Sequence, residues 1–387
     1  MGEVRTPDDV HDLVHGLTLL GTGGGGRPEQ GLACLLPHVE AGHAVRWVAP
    51  DAIPDDAWVC STFGMGSIAP TEPLSPGERR ALGYPEAWTV PRPMVRAVQE
   101  LEGYTGRKVA AILPFELGAG NTPSPMDAAV RVGAAIVDGD CAGRAIPELC
   151  QTSAAIAGIP FAPGAIADAW GNVLLVKATA SELLTERIGK LVSIATKLPD
   201  MTAPCAHAGF LMPGKELKRV AVPGGVTRAL AVGRALRAAR ARGGDPAGAV
   251  AETLGGWVLF RGRVARKEWE SRDGYMFGTT TVEGEGPDAG HILRVWFKNE
   301  NHVTWRDGAP WVLSPDLIMT IGADGTPYTN TQLPEGARIA VVGAAADPRL
   351  RTPAALTLLG PRHYGYDLAY TPIEELMARA AARARES

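Results

Sequence analysis

No apolar run in the 387-residue chain approaches the roughly 18 residues that a membrane span needs. The longest, Ala337–Ala346, is interrupted by Arg338 and reads as a buried strand. Basic charge is not in excess: 38 Lys and Arg stand against 42 Asp and Glu, a net charge of −4. Phosphate contacts need a basic face, so a general nucleic-acid binder is excluded, and neither nucleic acid nor membrane is an expected partner. Cysteine is scarce, with five residues at positions 34, 60, 141, 150 and 205 and no CxxC pair. That count and scatter exclude a disulfide framework and make a reducing cytoplasm the expected compartment. The N-terminus lacks a basic segment leading into an apolar one, so no secretory signal is expected. The eight histidines include no H-E-x-x-H or H-x-H spacing. His11 and His15 lie four apart, and Cys205 and His207 form one C-x-H pair, which leaves a divalent metal such as zinc open and unassigned.

Glycine and proline are plentiful, at 47 and 31 residues, which implies many tight loops. The chain is 45% apolar and 21% charged, as an ordinary globular protein is. Its length suggests two domains. In the first part, helical patterns (Pro7–Leu20, Pro28–Ala41, Met94–Gly103, Ser124–Arg131) alternate with short apolar strands (Ala44–Val48, Ala57–Thr62, Val109–Pro114, Ala134–Val137). That alternation predicts an α/β sheet domain over residues 1–165. From 166 to 387 the pattern is that of a β-rich α+β domain, with amphipathic helices at Ala180–Ser193 and Val226–Arg242 and strands from Trp257 onward.

Several first-domain strands end in loops rich in glycine and polar residues, at the sheet edge where α/β proteins bind ligands. Leu20-Gly-Thr-Gly-Gly-Gly-Gly26 matches neither a P-loop nor a dinucleotide fingerprint. Thr22, Gly23, Gly24 and Gly25 can turn backbone N–H groups toward a small polar or anionic substrate, or form a plain turn. Gly64-Met-Gly-Ser67 follows the second strand and offers Ser67. In Glu116-Leu-Gly-Ala-Gly-Asn121, Glu116 is poorly placed for packing, and Asn121 can read a carbonyl and N–H pair or cap the next helix. Asp138-Gly-Asp-Cys-Ala-Gly-Arg-Ala-Ile-Pro-Glu148 is the densest cluster. Asp138 and Asp140 point the same way on an extended segment, so they can poise a proton or hold a cation. Arg144 can fork a substrate carboxylate or pair with Glu148 in a structural network. Cys141 beside Arg144 is a candidate nucleophile or simple packing.

Taken in order, LGTGGGG, GMGS, ELGAGN, DGDCAGRAIPE, KNEN, PDLI and GPRHYGYD resemble the S-methyl thiohydantoin desulfurase domain family, also described as hydantoinase/oxoprolinase-like. The chain departs from that pattern at Ala119 and at Cys141-Ala142. The resemblance implies an α/β N-terminal domain, a β-containing C-terminal domain and hydrolysis of a five-membered cyclic urea, thiourea or imide. It marks Thr22–Gly26, Glu116–Asn121 and Asp138–Glu148 as signature positions, and the residues in them make Asp138, Asp140, Glu116 and Cys141 the catalytic candidates. The expected partners are a small-molecule substrate and, as for many such enzymes, further copies of the chain. A cyclase, lyase or amide-forming enzyme on a small carboxylated metabolite is the alternative reaction, and a non-catalytic small-molecule binder the alternative class.

Overall fold

A computed structural model describes residues 2–70, 74–195 and 205–386. The first helix, Pro7–Leu20, begins where the sequence predicts, because Thr6 and Asp9 form a capping box and Pro7 occupies the first turn. It runs directly into the glycine loop. Among the described residues there are two eight-stranded sheets. The first runs, edge to edge, through Gly2–Val4, Val45–Val48, Ala135–Val137, Val109–Pro114, Trp58–Met65, Cys205–Pro213, Gly164–Asp168 and Val173–Val176. Its central four strands, Val45–Val48 to Trp58–Met65, are parallel; the flanking ones pair antiparallel. The parallel strands point their C-terminal ends toward the glycine loop and the loop after Pro114, which is why chemistry-bearing loops collect there.

The second sheet is antiparallel throughout, in the order Ala309–Leu313, Glu300–Arg306, Ile292–Lys298, Tyr275–Gly284, Trp257–Arg272, Arg338–Ala344, Leu317–Gly322 and Pro327–Tyr328. Helices Pro7–Leu20, Gly225–Ala241 and Pro246–Leu254 lie between the sheets. One continuous apolar core joins Cys60 and Ile112 of the first sheet to Leu13 and Leu17, Val232 and Leu236, and Met319 and Val342 of the second sheet. A second core, with Phe63, Phe115, Phe161 and Phe210, fills the opposite face of the first sheet.

A mixed α/β first sheet and a β-rich second sheet are the fold the sequence predicts. The boundary expected near residue 165 passes through the first sheet. Strand Gly164–Asp168 straddles it, and Val173–Val176 and Cys205–Pro213 follow it, yet the last inserts beside Trp58–Met65. The change of composition there marks the switch from parallel to antiparallel pairing within one sheet. Among the described residues, no helix is long and apolar enough to cross a membrane.

Candidate active site

The glycine loop is stitched to both halves of the molecule. Thr22 adopts a left-handed conformation (φ 49°). Its carbonyl accepts from Asn301 N at 2.8 Å, and the Gly23 carbonyl accepts from Asn330 N at 2.7 Å. On the other side, the Gly25 carbonyl accepts from Gly120 N and Asn121 N at 2.9 and 3.0 Å. These bonds bring Gly25, Gly26, the end of strand Trp58–Met65 with Gly66, Glu116, Asn121 and Glu300 around one cavity of about 450 Å³, its open mouth included; the turn expected from Gly64 begins only after Met65.

Glu116 follows the strand Val109–Pro114 and is 4% exposed. Its Oε1 accepts from Asn121 Nδ2 at 2.6 Å and its Oε2 from Ile146 N at 2.7 Å. Burial outweighs those bonds and pushes its carboxyl up to about 7, with Asp140 adding to the rise. Glu300 comes from the other sheet. A tight turn at Asn299 (φ 57°) starts the strand Glu300–Arg306 and turns the Glu300 side chain inward, 2% exposed. Its Oε1 stands so close to Gly24 that a β-carbon there would come within 1.8 Å, so any larger residue at 24 would push the Glu300 side chain aside. Its Oε2 has no hydrogen-bond partner among the described residues. Burial first and Glu116 second raise its carboxyl well above the usual range. Two buried carboxyls facing one cavity cannot both ionise cheaply, so the pair holds a proton near neutral pH.

The rest of the wall is charged, and its carboxylates are hydrogen-bonded. Glu148 accepts from His363 Nε2 at 2.5 Å and bonds the Lys298 ammonium. Burial alone would raise its carboxyl, but the His363 hydrogen bond and the Lys298 charge hold it at about 2. Glu186 accepts from Leu149 N and from the Tyr275 hydroxyl, both at 2.9 Å. Lys190 lies 3.7 Å from Glu186.

Other expected site residues have different work. Arg144 cannot hold a substrate carboxylate: it is 0% exposed and its five N–H groups all have acceptors. These are the carbonyls of Ala145, Pro315, Asp316 and Asn301 and the Thr22 hydroxyl, at 2.7–3.3 Å. Thr22 is therefore a joint between Arg144 and the loop. Asp138 and Asp140 do point the same way, as their spacing predicts, but toward the first turn of helix Gly225–Ala241 and away from the cavity. Asp138 accepts from Thr227 N at 3.0 Å and Thr227 Oγ1 at 2.5 Å, which is a helix cap. Asp140 Oδ1 accepts from Ala142 N and Gly143 N at 2.6 and 2.5 Å, and its Oδ2 faces Gly225. Burial pushes Asp140 up to about 7, yet it lines no part of the cavity. Cys141 is buried in the apolar core beneath, and burial pushes its thiol far above a reactive range. Gly23 packs on Asn330 and the Gly24 N–H bonds the Gly21 carbonyl, so Gly25 and Gly26 alone of the glycine loop reach the cavity. Ser67 sits beside the mouth, its hydroxyl accepting from Ala69 N.

Sequence reasoning marked Glu116, Asn121, Glu148 and the glycine loop but not Glu300 or Lys190. Lys298-Asn-Glu-Asn301 carried the available signal for Glu300, a carboxylate placed at the start of a buried strand. Among the described residues, no three His, Cys, Asp or Glu side chains gather as a metal site would require. The Cys205 side chain lies outside the described ones, so the C-x-H pair has no geometry to report.

Residues 8–178 match the family model for the S-Me-THD-like N-terminal domain, and residues 181–373 the one for the S-Me-THD-like C-terminal domain. A crystal structure of a protein from Chromobacterium violaceum, a structural genomics target, superposes with a TM-score of 0.75. It is 22% identical, and the match covers 96% of this chain and 100% of that one, which shows a shared fold. No curated protein matches the chain at a significant level.

Proposed function

Because the chain belongs to the S-Me-THD-like family, we propose that it is a hydrolytic enzyme for a small cyclic urea, thiourea or imide of hydantoin or thiohydantoin type. The observation that carries this reading is the Glu116–Glu300 pair, two buried carboxyls with raised affinity for a proton at one small cavity. Such a pair supplies both halves of acid–base hydrolysis near neutral pH. The ionised member takes a proton from water as the water oxygen bonds to the ring carbon. The protonated member returns a proton to the atom that leaves, ring nitrogen if the ring opens or sulfur if sulfur is expelled. Asn121, already bonded to Glu116, stands where it can read the ring amide. The Gly25–Gly26 backbone lets the ring approach closely. No step is routed through a metal.

The test is turnover of hydantoin, 2-thiohydantoin, an S-methylated thiohydantoin and a five-membered lactam by the purified protein, with Glu116→Gln and Glu300→Gln beside it. The reading expects ring opening or sulfur release on at least one compound, reduced by about 10²–10⁴ in each variant. Turnover that survives both substitutions would sink it.

A further inference from the structure

We infer that Lys190 is a catalytic residue of this cavity, the donor that meets the oxygen or sulfur on the attacked ring carbon. The inference rests on the hydrolytic reading above and adds to it the electrophile that reading lacks. Arg144 is sealed off and cannot meet the developing negative charge, which a preorganised donor facing the cavity would stabilise. Among the residues lining the cavity, Lys190 is the only cation, against Glu116, Glu148, Glu186 and Glu300.

Its position is built rather than incidental. Helix Glu182–Ala195 presents Glu186, Gly189, Lys190 and Ser193 inward. Gly189 packs against Met65 and His207 so tightly that a β-carbon would come within 2.6 Å of the Met65 sulfur. That close approach brings the next residue, Lys190, to the cavity. Its side chain is 9% exposed. The ammonium lies 4.1 Å over the Tyr275 ring, and the hairpin turn at Gly274 offers its carbonyl at 3.4 Å. Glu186, 3.7 Å away, is itself held by Tyr275 and Leu149. The neighbouring Lys298, 4.2 Å from the centre of the same ring, differs in being bonded to Glu148. A lysine with three donors and one long hydrogen bond keeps N–H groups for a ligand. Its charge also reaches the reacting pair, lowering both Glu116 and Glu300.

The step balances without further reactants. Water oxygen bonds to the ring carbon, and its proton passes to the ionised glutamate. The carbon's double-bond electrons move onto oxygen or sulfur, where the Lys190 ammonium donates. On collapse the carbon–nitrogen or carbon–sulfur bond breaks, and the glutamate proton goes to the leaving atom.

The experiment compares Lys190→Met, Lys190→Gln and Lys190→Arg with the unaltered protein on the same ring compounds, with thermal melting as a check on folding. We expect kcat to fall about 10²–10³-fold in Met and Gln while KM moves less than threefold. Lys190→Arg should regain at least tenfold. Removing the charge should also shift the kcat/KM pH profile upward, because Glu116 and Glu300 lose a neighbour that favours their ionised forms. That shift follows from the charge alone; a kcat loss at nearly constant KM in a folded variant, regained in Lys190→Arg, is what a merely structural lysine would not give. Unchanged kcat in a folded Met or Gln variant, alongside loss in Glu116→Gln, would overturn the role of Lys190 and leave the reaction standing. No turnover by the unaltered protein on any ring would overturn the reaction, and Lys190's part with it.

Discussion

The Asp138–Arg144 loop and the Glu116–Glu300 cavity both bury charge, and they differ in what becomes of the polar atoms. In the loop, Arg144 satisfies all five of its N–H groups and Asp138 caps a helix, and the one Asp140 oxygen without a hydrogen bond packs against Gly225 and not against the cavity. In the cavity, Glu300 keeps an oxygen without a partner among the described residues, burial raises the proton affinity of both glutamates, and Glu116 raises that of Glu300 further. Saturated polar groups hold a structure together; unsaturated ones beside a cavity are available to a ligand. Density of reactive residue types along the chain does not separate the two cases.

The comparison can be broken from either side. The largest effect is expected at Arg144. Arg144→Met strips a donor from five buried acceptors, each of which costs about 1–3 kcal/mol when left bare. We expect a loss on the order of 5 kcal/mol, read as a collapse of the thermal transition, with activity lost only through folding. Glu116→Gln and Glu300→Gln should do the reverse: an intact transition, and turnover lower by about 10²–10⁴. Asp138→Asn should cost about 1 kcal/mol as a weakened helix cap and change kcat less than twofold. A kinetic defect in that variant with normal melting would return Asp138 to the chemistry.

The smallest effect concerns pH. Asp140 and Glu116 are raised by burial from ordinary carboxyl values of 3.8 and 4.5 to about 7. The native protein keeps these protons after the unfolded chain has released them. Their contribution to stability is therefore full below pH ~4 and lost as pH rises through 7. Asp140→Asn should flatten the decline in melting temperature between pH 5 and pH 8 and lower the Glu116 carboxyl slightly, because Asp140 adds to its rise.

Local patterns were legible. The Pro7–Leu20 helix and the Val109–Pro114 strand fall where capping and apolar spacing place them. Glu116 and Asn121 stood out because a carboxylate and an amide among glycines have little packing value. Glu300 was hidden because its partner is 184 positions away in sequence and on the other sheet. Lys190 was hidden for a different reason. Its helix is amphipathic, but Leu184, Ile188 and Leu191 face outward at 42%, 39% and 66% exposure, while the polar side turns in. Spacing reveals a stripe, not which stripe is buried, and here the cavity claims the charged one. Strand Cys205–Pro213, rich in small residues, carries no clear alternation, so its insertion into the first sheet could not be read.

A carbon-13 NMR titration of glutamate-labelled protein tests the central pair most directly. The account predicts a glutamate carboxyl still titrating near pH 7, absent in Glu116→Gln, and a second titrating well above the usual carboxylate range, absent in Glu300→Gln and lowered in Glu116→Gln. If every glutamate carboxyl titrates below pH 5 in the unaltered protein, the buried pair holds no proton near neutrality and the acid–base account is wrong.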